Sequence, residues 1–338
     1  MLSIRKDHWF IPLIFTITLA LPALVNAKTD TRQPKIDRFI SNMVKQHGFD
    51  QKKLTALFKH FKFKPKIIKL MTKPAESMTW VRYKPIFITD KRAQQGWAFW
   101  QKHAKTLAAA EKHYGVPAEI IVAIIGVETY YGDRTGSYRV LDALSTLAFG
   151  YPRRAKFFSR ELEHFLLLTQ QEKVDPLSIK GSYAGAMGIP QFMPSSYRHY
   201  AIDFDDDKRK DLWHNPSDAI GSVAHYFKQH GWKPGQDITY HVKVKGKKVK
   251  QALSRKIKLK YTLKQLAAYG VVIPKHLKQT RKGLLVDLTT KTGKDYWLGL
   301  HNFYVITRYN HSTLYAMAVY QLSQNIVKLK TAQGKDKT

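Results

Sequence analysis

The 338-residue sequence has no cysteine. Disulfides are therefore excluded, and so is a lipid-modified N-terminal cysteine. Acidic residues are scarce: 25 Asp and Glu stand against 57 Lys and Arg, for a net charge of +32. Only one long apolar run occurs, Trp9 to Leu24. Pro12 and Pro22 interrupt it, and it is short beside the roughly 20 apolar residues of a spanning helix. The 14 histidines show no tight metal spacing; His225 and His230, five apart, are misaligned on a helix. There is no convincing Ser/His/Asp set and no Gly-rich loop followed by Lys and Ser/Thr, so nothing points to zinc, serine or phosphate-loop chemistry.

What is present starts at the N-terminus. Arg5 and Lys6 precede the apolar run, and Val25-Asn26-Ala27 offers small residues after it. That is the pattern of an export signal cleaved after Ala27; the competing reading is a retained anchor. The mature chain is expected to be soluble and periplasmic. It keeps a charge of +31, because the leader holds Arg5 and Lys6 against Asp7. Such a field attracts polyanions. For an exported protein, wall polymers and anionic lipid come before nucleic acid, and membrane contact is expected to be peripheral at most. Apolar residues at 44% and charged residues at 24% are ordinary for a globular chain.

Helical spacing runs from about Asp30 to Lys73, as in Ile36, Phe39, Ile40 and Met43. Lys73 to Pro85 reads as extended, and Arg92 to Tyr114 as helix. An apolar helix over Ala118 to Thr129 follows Pro117, with further helices at Val140–Leu147, Ala155–Glu172 and Pro216–His230. From Asp237 the texture changes: Ile238, Tyr240, Val242 and Val244 alternate with polar residues, then Gly246 and lysines precede Val249, a hairpin pattern. Gly283–Thr290 and Tyr296–Leu300 read as strands, Thr262–Tyr269 and Ser312 to Gln324 as helices. The fold class is mainly α (α+β), with a small β-containing module.

Two stretches carry chemistry. Ile120 to Val127 contains no polar residue, and a helix apolar on all sides is buried. Glu128 closes that run. Desolvation and the negative end of the helix dipole both favour its protonated form, which is how a glutamic acid becomes a proton donor near neutral pH. The alternative is a buried structural Glu paired with Arg134, Arg153 or Arg154. The second stretch is Ser182 to Ser196, SYAGAMGIPQFMPSS. Its small residues allow close approach of backbone to a ligand. Ser182 and Gln191 offer neutral hydrogen bonds beside Tyr183, Met187 and Phe192, which suits a sugar better than a phosphate.

Together these segments resemble the membrane-bound lytic transglycosylase B family, which has a lysozyme-like core. The likeness rests on Gly126-Val127-Glu128-Thr129-Tyr130-Tyr131-Gly132, Tyr151-Pro152-Arg153-Arg154-Ala155, Ser182 to Ser196, Asp218 to Ala224, Gly231-Trp232 and Arg308-Tyr309-Asn310. The resemblance implies peptidoglycan strands as substrate, 1,6-anhydromuramoyl ends as product and no required cofactor. It implies Glu128 as sole acid and base. Tyr83, Ser182, Gln191, Tyr226, Tyr309 and Asn310 would line the sugar groove, and Arg153 and Arg154 would meet substrate carboxylates. Other cell-wall enzymes are candidate partners. The residues themselves leave open a hydrolytic muramidase and a non-catalytic wall-polyanion binder. Asp133 is the rival carboxylate, read as an ion pair with Arg134.

The family also carries an EF-hand-like loop. Here Asp203, Asp205, Asp207 and Asp211 hold positions 1, 3, 5 and 9, with Arg209 offering its backbone carbonyl. Lys208 replaces the turn glycine and His214 the final Glu, so Asp218 would have to supply the last ligand to a structural calcium ion. The competing reading is an acidic turn neutralised by Lys208, Arg209 and Lys210. The expected division is a signal peptide at 1–27, an N-terminal helical region carrying the catalytic helix at 28–140, and a lysozyme-like core at 141–235. A β-containing module at 236–300, a return segment closing the groove at 301–325 and a flexible tail at 326–338 complete it.

Overall fold

A computed structural model describes residues 31–72, 78–253 and 257–335. The proposed export signal lies outside them. Among the described residues no helix is long and apolar enough to cross a membrane.

The basic N-terminal stretch folds into α1 (Gln33–His47), α2 (Gln51–Lys59) and α3 (Pro65–Met71). Ile36, Phe39, Ile40 and Met43 form the buried stripe of α1, and Gly48 stops it at a φ of 67°, its N–H bonded to Val44 O. Asp50 starts α2 by accepting the Lys53 N–H. The reading of 73–85 as extended fails where it can be checked: α4 (Trp80–Phe87) is helical, with Pro85 inside it. Burial of Trp80 and Tyr83 on one side outweighs the proline's preference. The single helix expected over 92–114 is two, α5 (Asp90–Lys102) and α6 (Ala104–Tyr114), broken at His103.

The centre is α7 (Ala118–Thr129). It is packed by α5, by α6, by α11 (Pro216–Gln229) and by α15 (Thr313–Lys335). Neighbours on every side are why Ile120 to Val127 can be apolar throughout. Between α7 and α11 come β1 (Tyr138–Arg139), α8 (Val140–Gly150), a short 3₁₀ turn at Pro152–Arg154, α9 (Ala155–Gln171), β2 (Lys180–Gly181) and α10 (Pro194–Tyr200). The two short strands pair and hold the start of the Ser182–Ser196 segment against the end of the loop after α7.

The small sheet runs β3 (Thr239–Val242), β6 (Gly293–Gly299), β5 (Lys282–Thr290), β4 (Tyr261–Thr262), all antiparallel. The hairpin expected after Asp237 is not formed: β3 pairs with β6, while Val244 bridges Val271. The true hairpin is β5–β6. Residues 249–252 form the short α12 (Val249–Ala252), and α13 (Leu263–Ala268) opens on a capping box of Thr262 and Gln265. Leu284, Val286 and Leu288 of β5 face the helical body, whereas Leu285 joins Leu298, Leu263 and Leu266 in a separate cluster on the outer face. The period of two along β5 thus glues the sheet to the body and gives it a cap of its own. After α14 (His301–Tyr309) the chain returns to the body as α15, longer than the pattern foretold.

Candidate active site

Glu128 is the last but one residue of α7, and the helix ends sharply behind it. Tyr130, Tyr131 and Gly132 have φ values of 55°, 65° and 98°, a left-handed run that turns the chain away. Tyr130 and Tyr131 give their N–H groups to Gly126 O and Ile125 O. Two aromatic residues in this conformation cost energy, so something must hold them. The Tyr131 ring lies back over α7, and its hydroxyl donates to Arg92 O at 2.8 Å. A Cβ on Gly126 would sit 2.5 Å from that hydroxyl, and one on Gly96 of α5 equally close. Both glycines are therefore the slot into which Tyr131 fits. Tyr130 is held beneath two cations, with the Arg92 and Arg134 guanidinium carbons 4.7 and 5.0 Å from its ring centre.

The side chain of Glu128 accepts a hydrogen bond from the Tyr315 hydroxyl at 2.6 Å. Tyr315 is buried and Tyr309 beside it partly buried, their rings parallel with centroids 6.4 Å apart. Burial, and after it the negative charge of Glu128, pushes both phenols well above their usual range. They stay neutral, so they serve the carboxyl group as fixed dipoles. Arg134 lies over Tyr130 and Arg154 over Phe157, and among the described residues neither they nor Arg153 forms an ion pair. Asp133 is exposed and makes no ion pair with Arg134, because that guanidinium is spent on the Tyr130 ring.

Thr129 ties Glu128 to the second stretch, donating to Ile189 O at 2.8 Å. Tyr309 donates to Pro190 O at 2.6 Å from the other side. Residues Gly188 to Gln191 are thus pinned between the end of α7 and α14. Gln191, at a φ of 52°, gives its amide hydrogens to Thr135 O and Gly188 O, leaving its carbonyl oxygen for a ligand. Ser182 accepts from Ala184 and Ala186 N–H, which leaves its own proton to donate. The Tyr226 hydroxyl is committed to Arg308 O at 2.6 Å, and its ring packs 4.9 Å from that of Tyr309. Tyr83 is buried on α4 within electrostatic reach of Tyr315. Asn310 follows Tyr309 at the end of α14. Tyr309 stands beside Tyr315 and links Tyr226 and the Gly188–Gln191 loop to the end of α7. Arg153 and Arg154 sit apart in their contacts, exposed on the turn between α8 and α9.

Sequence reasoning did not single out Tyr315, Tyr131 or Arg92. Tyr315 lies in a helix whose pattern reads as core, and no local signal separates it from a packing tyrosine. Gly126 and Gly96 were the available hint to Tyr131, since glycine inside a helix asks for a close neighbour.

In the acidic loop, carboxylate oxygens of Asp203, Asp205 and Asp218 come within 4.8 Å of one another. Asp218 is fully buried and accepts the N–H groups of Phe204 and Asp211. Burial pushes its carboxyl up, with the charges of Asp205 and Asp203 adding to that. Lys208 takes the glycine's place at a φ of 71°, so its side chain does not abolish the turn. Asp207 is outside the cluster and accepts the Arg209 N–H. Asp211 instead caps Trp213 and His214.

A buried helix ending in one carboxylate, walled by neutral phenols and a pinned loop, is the arrangement of a lysozyme-like enzyme. The family model for the transglycosylase SLT domain matches residues 31–324. The membrane-bound lytic murein transglycosylase B of Escherichia coli is 47% identical over 303 residues, covering 87% of this chain and 82% of that protein. The crystal structure of the soluble lytic transglycosylase SltB1 of Pseudomonas aeruginosa is 50% identical. It superposes with a TM-score of 0.83 over 88% of this chain and 100% of that one. The Escherichia coli lytic transglycosylase Slt35 in complex with calcium is 47% identical, with a TM-score of 0.81 over 88% of this chain and 94% of that one. The chain belongs to the transglycosylase SLT family and is an enzyme of the lytic murein transglycosylase class.

Proposed function

We infer that this enzyme cleaves the β-1,4 bond between N-acetylmuramic acid and N-acetylglucosamine in peptidoglycan strands and leaves 1,6-anhydromuramoyl ends. Glu128 first gives its proton to the bridging oxygen as the bond to the muramoyl anomeric carbon breaks. The resulting carboxylate takes the proton of the muramoyl 6-hydroxyl, whose oxygen bonds to that carbon. No water is consumed, and Glu128 ends as it began. The observation that carries this reading is a single carboxylate held by Tyr315, with the rival Asp133 exposed. Most glycosidases that use water place two carboxyl groups across the bond. Ser182, Gln191, Tyr83, Tyr226, Tyr309 and Asn310 shape the groove for neutral sugar, and Arg153 and Arg154 meet carboxylates of the peptide stem. Residues 1–27 act as an export signal, so the work is done in the periplasm, alongside other wall enzymes.

Mass spectrometry of muropeptides released from purified sacculi tests the chemistry. Anhydro ends, lighter by the mass of water than reducing ends, are the expected product; reducing ends would make the enzyme a hydrolase.

The Tyr315 hydroxyl stabilises the ionised form of Glu128, and the first step needs the protonated form. Tyr315→Phe therefore moves the alkaline limb of the kcat/KM profile upward, by about one pH unit for the loss of a hydrogen bond to a charged group. An unmoved limb would mean that Tyr315 only packs.

The acidic loop is the place for a calcium ion in this reading. Its oxygen donors from Asp203, Asp205 and Asp218 suit a hard cation, and the ion would offset their mutual repulsion and brace the loop against α11. Asp207 and the Arg209 carbonyl would complete the shell. Saturating calcium at a hundredfold over its Kd stabilises a protein by about 2.7 kcal/mol, which for a domain of this size means a rise in Tm of several degrees. Calorimetry should show that rise against a chelator and its loss in Asp218→Asn. An unchanged Tm with calcium would leave the loop as a self-neutralised acidic turn.

A further inference from the structure

The positive charge is not spread evenly. From Lys243 to Lys282 the chain carries fourteen Lys and Arg and not one Asp or Glu. Much of this segment lies on the outer side of the small sheet, while Ile257 and Leu259 pack against the helical body. Its buried residues Val249, Ala252, Leu263, Leu266, Val271 and Leu277 pack on the outer face of the small sheet, opposite the face that Leu284, Val286 and Leu288 turn to the helical body. Lys243, Lys245, Lys247, Lys248, Lys250, Lys258, Lys260, Lys264, Lys275, Lys278 and Lys282 are all exposed, and none is in an ion pair among the described residues. In the same cap the Val272 N–H is bonded to Lys243 O, and the Val272 side chain is 45% exposed. It is one of three exposed large apolar side chains among the described residues, and Ile273 and Pro274 follow it half-exposed.

We propose that this cap is a docking surface for anionic phospholipid, with the lysines facing the headgroups and Val272 reaching below them. Two features favour a lipid surface over other polyanions. The cations are almost all lysine, a point charge suited to a diffuse layer of phosphates, where base or bidentate phosphate recognition would favour arginine. An exposed apolar side chain in a lysine-rich cap gains nothing against a hydrated polymer but is stabilised at a bilayer interface. The cap's apolar core lies on the sheet face opposite the one packed on the body.

The test uses the chain from Lys28 onward, which holds every described residue and lacks the apolar run that would bind membranes by itself. It is sedimented with phosphatidylcholine vesicles with and without phosphatidylglycerol. Binding only to the anionic vesicles, released by salt, is expected. Each lysine near such a surface is worth about fivefold in partitioning, so the combined Lys243→Gln, Lys245→Gln, Lys247→Gln and Lys248→Gln variant should bind about a hundredfold or more weakly. Val272→Ser should weaken binding several-fold while leaving its salt dependence unchanged. Both variants should release muropeptides from sacculi like the parent, which shows that they are folded. Failure of the parent to bind, equal binding by the lysine variant, or indifference to Val272→Ser would each overturn the proposal.

Discussion

Glu128→Gln should lower muropeptide release by about a thousandfold or more, the scale of losing a general acid and base at one position. The amide matches the carboxyl group in shape, and its carbonyl oxygen can still accept the Tyr315 hydroxyl that now bonds Glu128 Oε1. Thermal unfolding should therefore hardly move. The amide cannot donate a proton to the bridging oxygen and then take one from the 6-hydroxyl, so both halves of the reaction fail together. Binding of glycan fragments should survive, and comparison of kcat with KM separates the two effects. Release at the parent's rate would show that another group moves the proton, and the single-carboxylate reading would fall.

Gly126→Ala should damage both stability and activity, although it adds one methyl group two residues from Glu128. That methyl would lie 2.5 Å from the Tyr131 hydroxyl and 2.6 Å from the carbon bearing it. The ring cannot slide away: Gly96 of α5 faces it from the other side, and its hydroxyl is bonded to Arg92 O. Overpacking of this kind costs about 1–3 kcal/mol, with the loss of the Arg92 bond in addition. Once Tyr131 moves, the left-handed turn behind Glu128 loses its anchor, and the carboxyl group moves with the end of α7. A shift of about 1 Å in a catalytic group is worth about a hundredfold in rate. Chemical denaturation and kcat measured side by side check this. Gly96→Ala presses on the same hydroxyl from α5 and should reproduce the loss, whereas a normal rate in both variants would show that Tyr131 does not position the acid.

Much of the architecture was legible because periodicity is a local property. The bounds of α7 match the apolar run, and the run's lack of any polar side announced a central helix before its neighbours were known. The strands Gly283–Thr290 and Tyr296–Leu300 were visible for the same reason, and they proved to be β5 and most of β6. Pairing is not local. The alternation after Asp237 marks a strand but cannot name its partner, which is β6, more than fifty residues on. In α4 the local signal pointed the wrong way, because the proline, methionine and threonine between Lys73 and Pro85 read as extended while burial of Trp80 and Tyr83 decided for helix.

The sequence by itself determined that one glutamate ends a buried helix, that a loop rich in small residues lies elsewhere in the chain, and that the surface is strongly cationic. Each follows from residue type and spacing alone. Tertiary structure decided what surrounds that glutamate. Tyr315, 187 residues away, reaches it because α15 folds back along α7. Arg134, four residues beyond Tyr130, is drawn to that ring and away from any carboxylate. It also decided that much of the lysine-rich stretch between 243 and 282 forms an outer cap, since β5 turns Leu285 outward and Val286 toward the body. Contacts between distant segments depend on how helices pack and strands register, and those are settled by burial summed over the whole chain.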